Sequence, residues 1–482
     1  MTEASMTTQA TLTNNANYGS GASADREGDL ILEFAPSWRF NRQGSRLRVD
    51  GTVSLDMIGY VDGTQASRIL PRANVLASFE AIDNLFFIDA SLFVDQQVEN
   101  VFLPTSRGAS TNNLYTTSQL QLSPYFQGNI GPNMRWLVRS DQTYTWTSQS
   151  DAPLGNAYYA RNLAEVIRVP TPFGLTLRLT NDITRIQDQL QPEQTLTTAL
   201  AIFDYAMSPQ LTVGLRGGYE NTTYTSVETS GPIYGGNVTW RPSPLTSVDG
   251  YWEERFYGPS YQYGFTHRQD RVATNISGYR TVTTYPQVLF QIPSTKNVSG
   301  LLDAILVARF PDPVERAQQA QDLIARQGLK ESLPAGAFIY NQSANVLTGA
   351  DARWALIGVR NTLALGLFYL KTETLPDPRV PPSFLVLNNS IQQGGSISLS
   401  HRVTPVVALS AEVNTSRTKG FDVSDGLGTR ESSAVLQANW QASPRSTLFV
   451  GARYQVQTET SGALPGLEQN EAAIYTGLFH RL

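Results

Sequence analysis

The sequence predicts an all-β protein: a large transmembrane antiparallel up-and-down β-barrel of about 22 strands (range about 20–24) with one helical loop insert. Three observations carry that prediction. Apolar and polar residues alternate with period two over long stretches. Short and long connections alternate along the chain. Charge is sparse, and no apolar run is long enough for a membrane helix.

The alternation is plainest from Arg46 to Val61. Leu47, Val49, Val53, Leu55, Met57 and Val61 hold the odd positions, while Arg46, Arg48, Asp50, Thr52, Ser54 and Asp56 hold even ones. Successive strand side chains point to opposite faces, so this stretch has one apolar and one polar face. The same pattern sets Leu175, Leu177 and Leu179 against Thr176, Arg178 and Thr180, and Leu211, Val213 and Leu215 against Thr212, Gly214 and Arg216. It recurs with Leu448, Val450, Ala452, Tyr454 and Val456 against Gly451, Arg453, Gln455 and Gln457. Soluble strands average about 5–6 residues, whereas a tilted membrane strand needs roughly 9–11.

Short turns are expected at 41–44, 82–84, 129–133, 170–173, 208–210, 241–244, 268–270, 360–361, 402–403 and 442–444. Between them lie mostly longer polar connections, such as 103–112, 148–155, 375–383, 419–430 and 459–468. Short turns on one rim and long loops on the other are the plan of an outer-membrane barrel. The first strand is placed near 7–18 and the last at 470–482, so both termini belong on the short-turn side, expected to be periplasmic. Tyr60, Tyr115, Tyr125, Tyr144, Trp146, Tyr257, Tyr279, Tyr340, Tyr369 and Tyr454 fall near strand ends. Amphipathic rings suit the membrane interface there, although aromatics are also good strand formers.

Only 16% of the 482 residues are charged, well below the roughly one quarter of a soluble domain. With no Cys, disulfides, thiolate metal sites and covalently attached haem are excluded from this chain. A net charge of -5 argues against a nucleic-acid partner. Residues 1–10 lack the apolar core of an export signal, so the numbering is expected to begin at a mature chain.

One segment, 286–340, departs from period two. Leu301, Leu302, Ile305 and Leu306 form a helical stripe ending at Pro311. Asp312 with Pro313 and Glu315 resembles a capping start for a second helix. Val314, Ala317, Ala320, Leu323 and Ile324 share its face, and Gly328 suits its stop. Strand parity puts the insert on the long-loop, extracellular side of a single 1–482 barrel. It can cap the mouth or fold into the lumen, with Leu301, Leu302, Ile305, Leu323 and Ile324 as its contact face, or be a loop subdomain with no gating role.

No catalytic or cofactor motif is present: His267, His401 and His480 have no metal spacing, and Asp422 with Asp425 forms a loop more readily solvated than cation-binding. A non-enzymatic chain with no cofactor is therefore expected. The polar strand faces carry the functional signal. Arg46, Arg48, Asp50, Arg135, Arg139, Arg178, Arg216, Glu253, Arg255 and Arg453 alternate with lipid-type residues and should line the lumen, as should Asp56, Glu80, Asp89, Asp95, Asp141, Asp182 and Asp249. Such a lining serves as an aqueous pathway, or as an ion-pair network that stiffens a wide barrel; both readings stay open.

Several stretches resemble a family of Gram-negative outer-membrane proteins associated with the PEP-CTERM/exosortase system. They are 28–49 (GDLILEFAPSWRFNRQGSRLRV), 79–97 (FEAIDNLFFIDASLFVDQQ), 279–286 (YRTVTTYP), 301–318 (LLDAILVARFPDPVERAQ) and 358–362 (GVRNT). The resemblance implies a pore or export role in exopolysaccharide secretion or envelope biogenesis, and carries no catalytic residues. The chain departs from the usual aromatic barrel terminus, ending in Phe479-His480-Arg481-Leu482. The implied partners are outer-membrane lipid and lipopolysaccharide, with exopolysaccharide or an envelope protein complex. The alternative is a structural sheath that holds a partner such as a multihaem cytochrome, whose haem would be the partner's own.

Overall fold

A computed structural model describes residues 2–16, 26–102, 113–148, 156–187, 193–224, 229–290, 298–307, 343–375, 389–459 and 469–482, with scattered positions between 316 and 337. Twenty-two antiparallel strands, each paired with its sequence neighbours, form one sheet. The first strand, β1 (Thr2–Thr13), pairs with the last, β22 (Gln469–Arg481), from Ser5↔Arg481 to Thr13↔Ala473, and closes the barrel. Closure leaves no edge strand, which a lipid-embedded sheet requires because hydrocarbon offers no hydrogen-bond partner. The strands run from 10 residues in β13 (Thr246–Arg255) to 17 in β6 (Leu114–Ile130). That is the length a tilted crossing needs.

The faces are inverted relative to a soluble sheet. In β9 (Phe173–Ile186), Leu177 and Leu179 are 49% and 51% exposed, while Thr176 and Thr180 are only 8% and 7% exposed. Leu367, Leu436 and Val450 stand equally bare on the outside. Apolar side chains left in water would be unfavourable by roughly 1.5–3 kcal/mol each, so this outer belt belongs in hydrocarbon. The chain is a membrane-spanning barrel of the outer-membrane type.

Every expected short turn joins two strands on one rim, where β1 also begins and β22 ends. β1 lies about five residues earlier than the 7–18 placement. Its Thr- and Ala-rich sequence alternates weakly, and pairing with β2 (Asp29–Gln43) and β22 sets its limits instead. One long-rim connection is itself tight: only Phe256 and Tyr257 separate β13 from β14 (Gly258–Gln269), and Gly258 takes φ +90. A side chain there would meet the steric penalty that glycine escapes.

The aromatic girdle is corrected in its membership. Tyr144, Trp146 and Tyr454 do face outward and exposed. Tyr60 and Tyr115 are buried inside, Tyr125 lies under the Arg139 guanidinium, Tyr257 near that of Arg255, and Tyr279 lines a lumen cavity. Closeness to a strand end does not choose a face; parity does, and Tyr60, Tyr115, Tyr125 and Tyr279 share the parity of the polar side chains, while Tyr257 lies in the β13–β14 connection. Tyr340 lies outside the described residues. The outer aromatics include Phe173, Phe203, Tyr205, Trp240 and Trp440 toward the short-turn rim, and Tyr219, Tyr234 and Trp252 toward the other. Phe173 contacts both Phe203 and Tyr205, ring to ring.

Candidate functional site: the lumen and its insert

The insert leaves β15 (Val272–Thr283) at the long-loop rim and returns to β16 (Asn345–Ile357). Its first helix, α1 (Tyr285–Phe290), reaches strands six to nine places around the wall. The Tyr285 hydroxyl hydrogen-bonds that of Tyr115 at 2.8 Å and Thr117 at 3.3 Å, both on β6. Gln119 Nε2 donates to the Pro286 carbonyl at 3.2 Å, and Thr184 of β9 meets Thr284 at 2.9 Å. Gln287 donates to the Tyr224 hydroxyl at 3.1 Å and accepts from the Thr284 amide at 2.9 Å. Burial pushes the Tyr285 phenol above its ordinary pKa, against the opposing hydrogen bonds of Thr117 and Tyr115. A neutral tyrosine is therefore locked across the bore.

The second helix, α2 (Val298–Leu306), carries the expected stripe. Leu301, Leu302 and Ile305 are buried together with Ala320, Ile324, Leu329 and Leu333, and Leu323 packs beside them. Their partners on the wall are Ala273, Ala355, Ile357 and Ala364, close to the short-turn ends of β15, β16 and β17 (Asn361–Thr374). The insert thus enters from the long-loop rim and descends inside the lumen to its far end. Positions 316, 319, 320, 323, 324 and 327 are helical, in keeping with the second expected helix. Its capping residues Asp312, Pro313 and Glu315, with Pro311, Val314, Ala317 and Gly328, lie outside the described residues.

The return path climbs the wall. Ser400 Oγ, near the short-turn end of β18 (Ser390–Arg402), donates to the Gln327 carbonyl at 2.9 Å. Gln392, further up the same strand, accepts from the Ala337 amide at 2.9 Å and donates to its carbonyl at 2.8 Å. A Cβ on Gly366 would come within 3.2 Å of Leu333, and one on Gly336 within 2.5 Å of Leu370. Glycine here lets the plug lie flush against the wall.

The wall beneath this part of the insert is uncharged. Lumen-facing positions of β17 and β18 are Thr362, Ala364, Gly366, Phe368, Leu370 and Thr372, then Ser390, Gln392, Gly394, Ser396, Ser398 and Ser400. Elsewhere the lumen wall is a ladder of ion pairs. Arg72 bridges Asp56 at 3.1 Å and Asp95 at 3.5 Å, and Arg139 bridges Asp89 at 2.8 Å and Asp141 at 2.7 Å. Arg178 pairs with Glu165, Arg216 with Glu253 and Arg255 with Glu220, each at 2.5 Å. Arg453 meets Glu471 at 2.8 Å. Arg161, held to Asp182 at only 3.9 Å, is a loosely tied cation in a cavity of about 530 Å³ between the wall and α1.

The lumen expectations resolve residue by residue. Arg139, Arg178, Arg216, Glu253, Arg255 and Arg453 stand in this ladder. Arg48, Asp50 and Arg135 lie exposed on the lumen face near the short-turn end, with Asp50 accepting from Asn41 at 3.0 Å. Arg46 sits in the turn before β3 (Leu47–Tyr60), paired with Asp83 at 2.8 Å on the rim. The three histidines share the short-turn rim, bonded to Thr246, Asn361 and Ser446 on neighbouring strands. Among the described residues no cluster fit for a metal ion is found. Sequence reasoning missed the α1 anchors, since Tyr115, Gln119 and Thr184 look like ordinary lumen residues. The neutral wall left a signal: Gly, Ala and Ser crowd the lumen parity of β17 and β18.

No protein-family model matches the chain, and no curated protein matches it. Among solved structures it is similar to the siderophore receptor PirA from Acinetobacter baumannii, with a TM-score of 0.50 and 8% identity over 100% of this chain and 80% of that one. The FrpB iron transporter from Neisseria meningitidis (F3-3 variant) aligns with a TM-score of 0.47 and 11% identity, covering 100% of this chain and 82% of that one. At such identities the likeness to PirA is one of fold.

Proposed function

We propose that this chain is a non-enzymatic bacterial outer-membrane transport barrel, gated by its own lumen insert, with both termini in the periplasm. The observation that carries this reading is the descent of the insert through the lumen, with its apolar end packed on a neutral wall and its α1 end hydrogen-bonded across the bore. Barrels of about 22 strands are wide enough to need a plug, and here the material comes from the loop between β15 and β16. The ion-paired remainder of the wall stays polar, as a water-filled path requires. The resemblance to barrels of the PEP-CTERM/exosortase system supports exopolysaccharide as the cargo. A sheath around a partner protein is the weaker reading, because the insert occupies space that a partner inside the barrel would need.

Single barrels in planar bilayers test this. The intact chain is expected to conduct poorly, and deletion of 299–332 to raise conductance severalfold. A deletion variant that folds yet conducts no better than the parent would sink the gated-transport reading.

A further inference from the structure

At the short-turn mouth, a cavity of about 650 Å³ opens between α2 and the turn joining β12 (Thr229–Ser243) to β13. Its volume falls in the range of roughly 300–1,000 Å³ typical of small-ligand sites. Gly300, Leu301 and Ala304 of the plug helix form its back. Arg241 and Arg268 line it from strands two apart, a backbone separation of roughly 10 Å. Neither makes an ion pair with a described residue. That sets them apart from Arg72, Arg139, Arg178, Arg216 and Arg255, each tied to a carboxylate. Among the described residues no acidic one lines the cavity; Ser247, Thr266 and Asn275 supply hydroxyl and amide groups instead. The β14–β15 turn, next around this rim, adds Arg271 against Asp270, and the Ser247 hydroxyl donates to Asp249 at 2.6 Å just above the cavity.

We propose that this cavity binds the carboxylate or phosphate groups of an anionic glycan, held between Arg241 and Arg268 and touching the plug helix. Two guanidinium forks suit planar or tetrahedral oxyanions, and the hydroxyl and amide lining suits a polyhydroxylated chain. An acidic peptide is the poorer fit. Extended peptides dock by adding to a sheet edge, and every strand of this closed ring is already paired. The inference deepens the transport reading and rests on it for the direction from which the glycan arrives. Because the ligand would touch α2, occupancy and plug position are linked.

Calorimetric titration of the full chain in detergent micelles tests the site without requiring transport. Trigalacturonate is expected to bind, and to bind more weakly as salt rises to about 0.15 M. Arg241→Ala and Arg268→Ala should each weaken it by at least about tenfold, with Arg241→Lys intermediate; barrel folding is verified by heat-modifiable migration. Maltotriose binding as tightly as trigalacturonate, or undiminished binding in both alanine variants, would overturn the site. Tighter binding of triglutamate would overturn the glycan assignment. A chain that binds trigalacturonate but never conducts in bilayers retains the site and loses the transport reading.

Discussion

The two sides of the lumen wall differ in chemistry and in what they are built to hold. On β17 and β18 the inward residues are small or apolar and uncharged, and the insert lies directly on them. From β4 (Arg68–Ile82) to β13 the inward residues include, among threonines, serines and glutamines, arginines and carboxylates paired chiefly with one another. Charge on the first surface would have to be desolvated under the plug, at a cost of several kcal/mol per ion. Small neutral residues let the insert seat closely against the wall without burying an unpaired charge. The charged side is touched by the insert only through α1 near the long-loop rim, and below that it keeps its shape through ion pairs. The lumen wall is thus divided into a neutral bearing surface and an ion-paired face.

The largest effect should come from breaking that ladder where it is most deeply buried. Glu220 is 1% exposed and accepts from Arg255, whose guanidinium also reaches Thr198 at 3.2 Å. Glu220→Ala strands a buried cation and is expected to destabilise the barrel by about 3–5 kcal/mol, read as a lowered urea midpoint in lipid. An unchanged midpoint would show that the ladder does not brace the wall.

On the neutral side the effects should fall on the plug and spare the barrel. Leu302 is fully buried in the α2 cluster, so Leu302→Ala should cost about 2–5 kcal/mol. Hydrogen exchange would report it as faster exchange confined to the insert, with more frequent channel openings. Gly366→Val places branched carbons where a Cβ already lies 3.2 Å from Leu333 and 3.0 Å from Ser396. Overpacking of about 1–3 kcal/mol is expected, displacing the return segment, and unaltered exchange there would argue that the wall and the plug do not bear on each other. The smallest effect belongs to the rim. The Arg46–Asp83 pair is 56% and 71% exposed, so Arg46→Ala should shift stability by less than about 1 kcal/mol and leave conductance as it was.

Much of this plan is legible in the chain. Thr176 and Leu177, or Arg216 and Leu215, declare their faces because strand geometry leaves only two directions for a side chain. Even the plug helix was visible, since Leu301, Leu302 and Ile305 have a spacing no strand uses. The girdle was less legible: Tyr115 and Tyr144 both sit near strand ends, yet one anchors α1 inside and the other faces lipid. The cavity at the mouth was not legible at all. Arg241 and Arg268 fall at the start of two expected short turns, 241–244 and 268–270, and only the fold brings both to one cavity.

By itself, then, the sequence determined that the chain closes into a membrane barrel of about 22 strands with one helical insert, because period two and turn parity are local properties of the backbone. Only the tertiary structure decided that the insert runs down the lumen, that it rests on the neutral side, and which arginines lack a carboxylate. Those depend on residues far apart in the chain, such as Tyr115 and Tyr285 or Leu302 and Ala364, and no local pattern reports on a meeting across a bore.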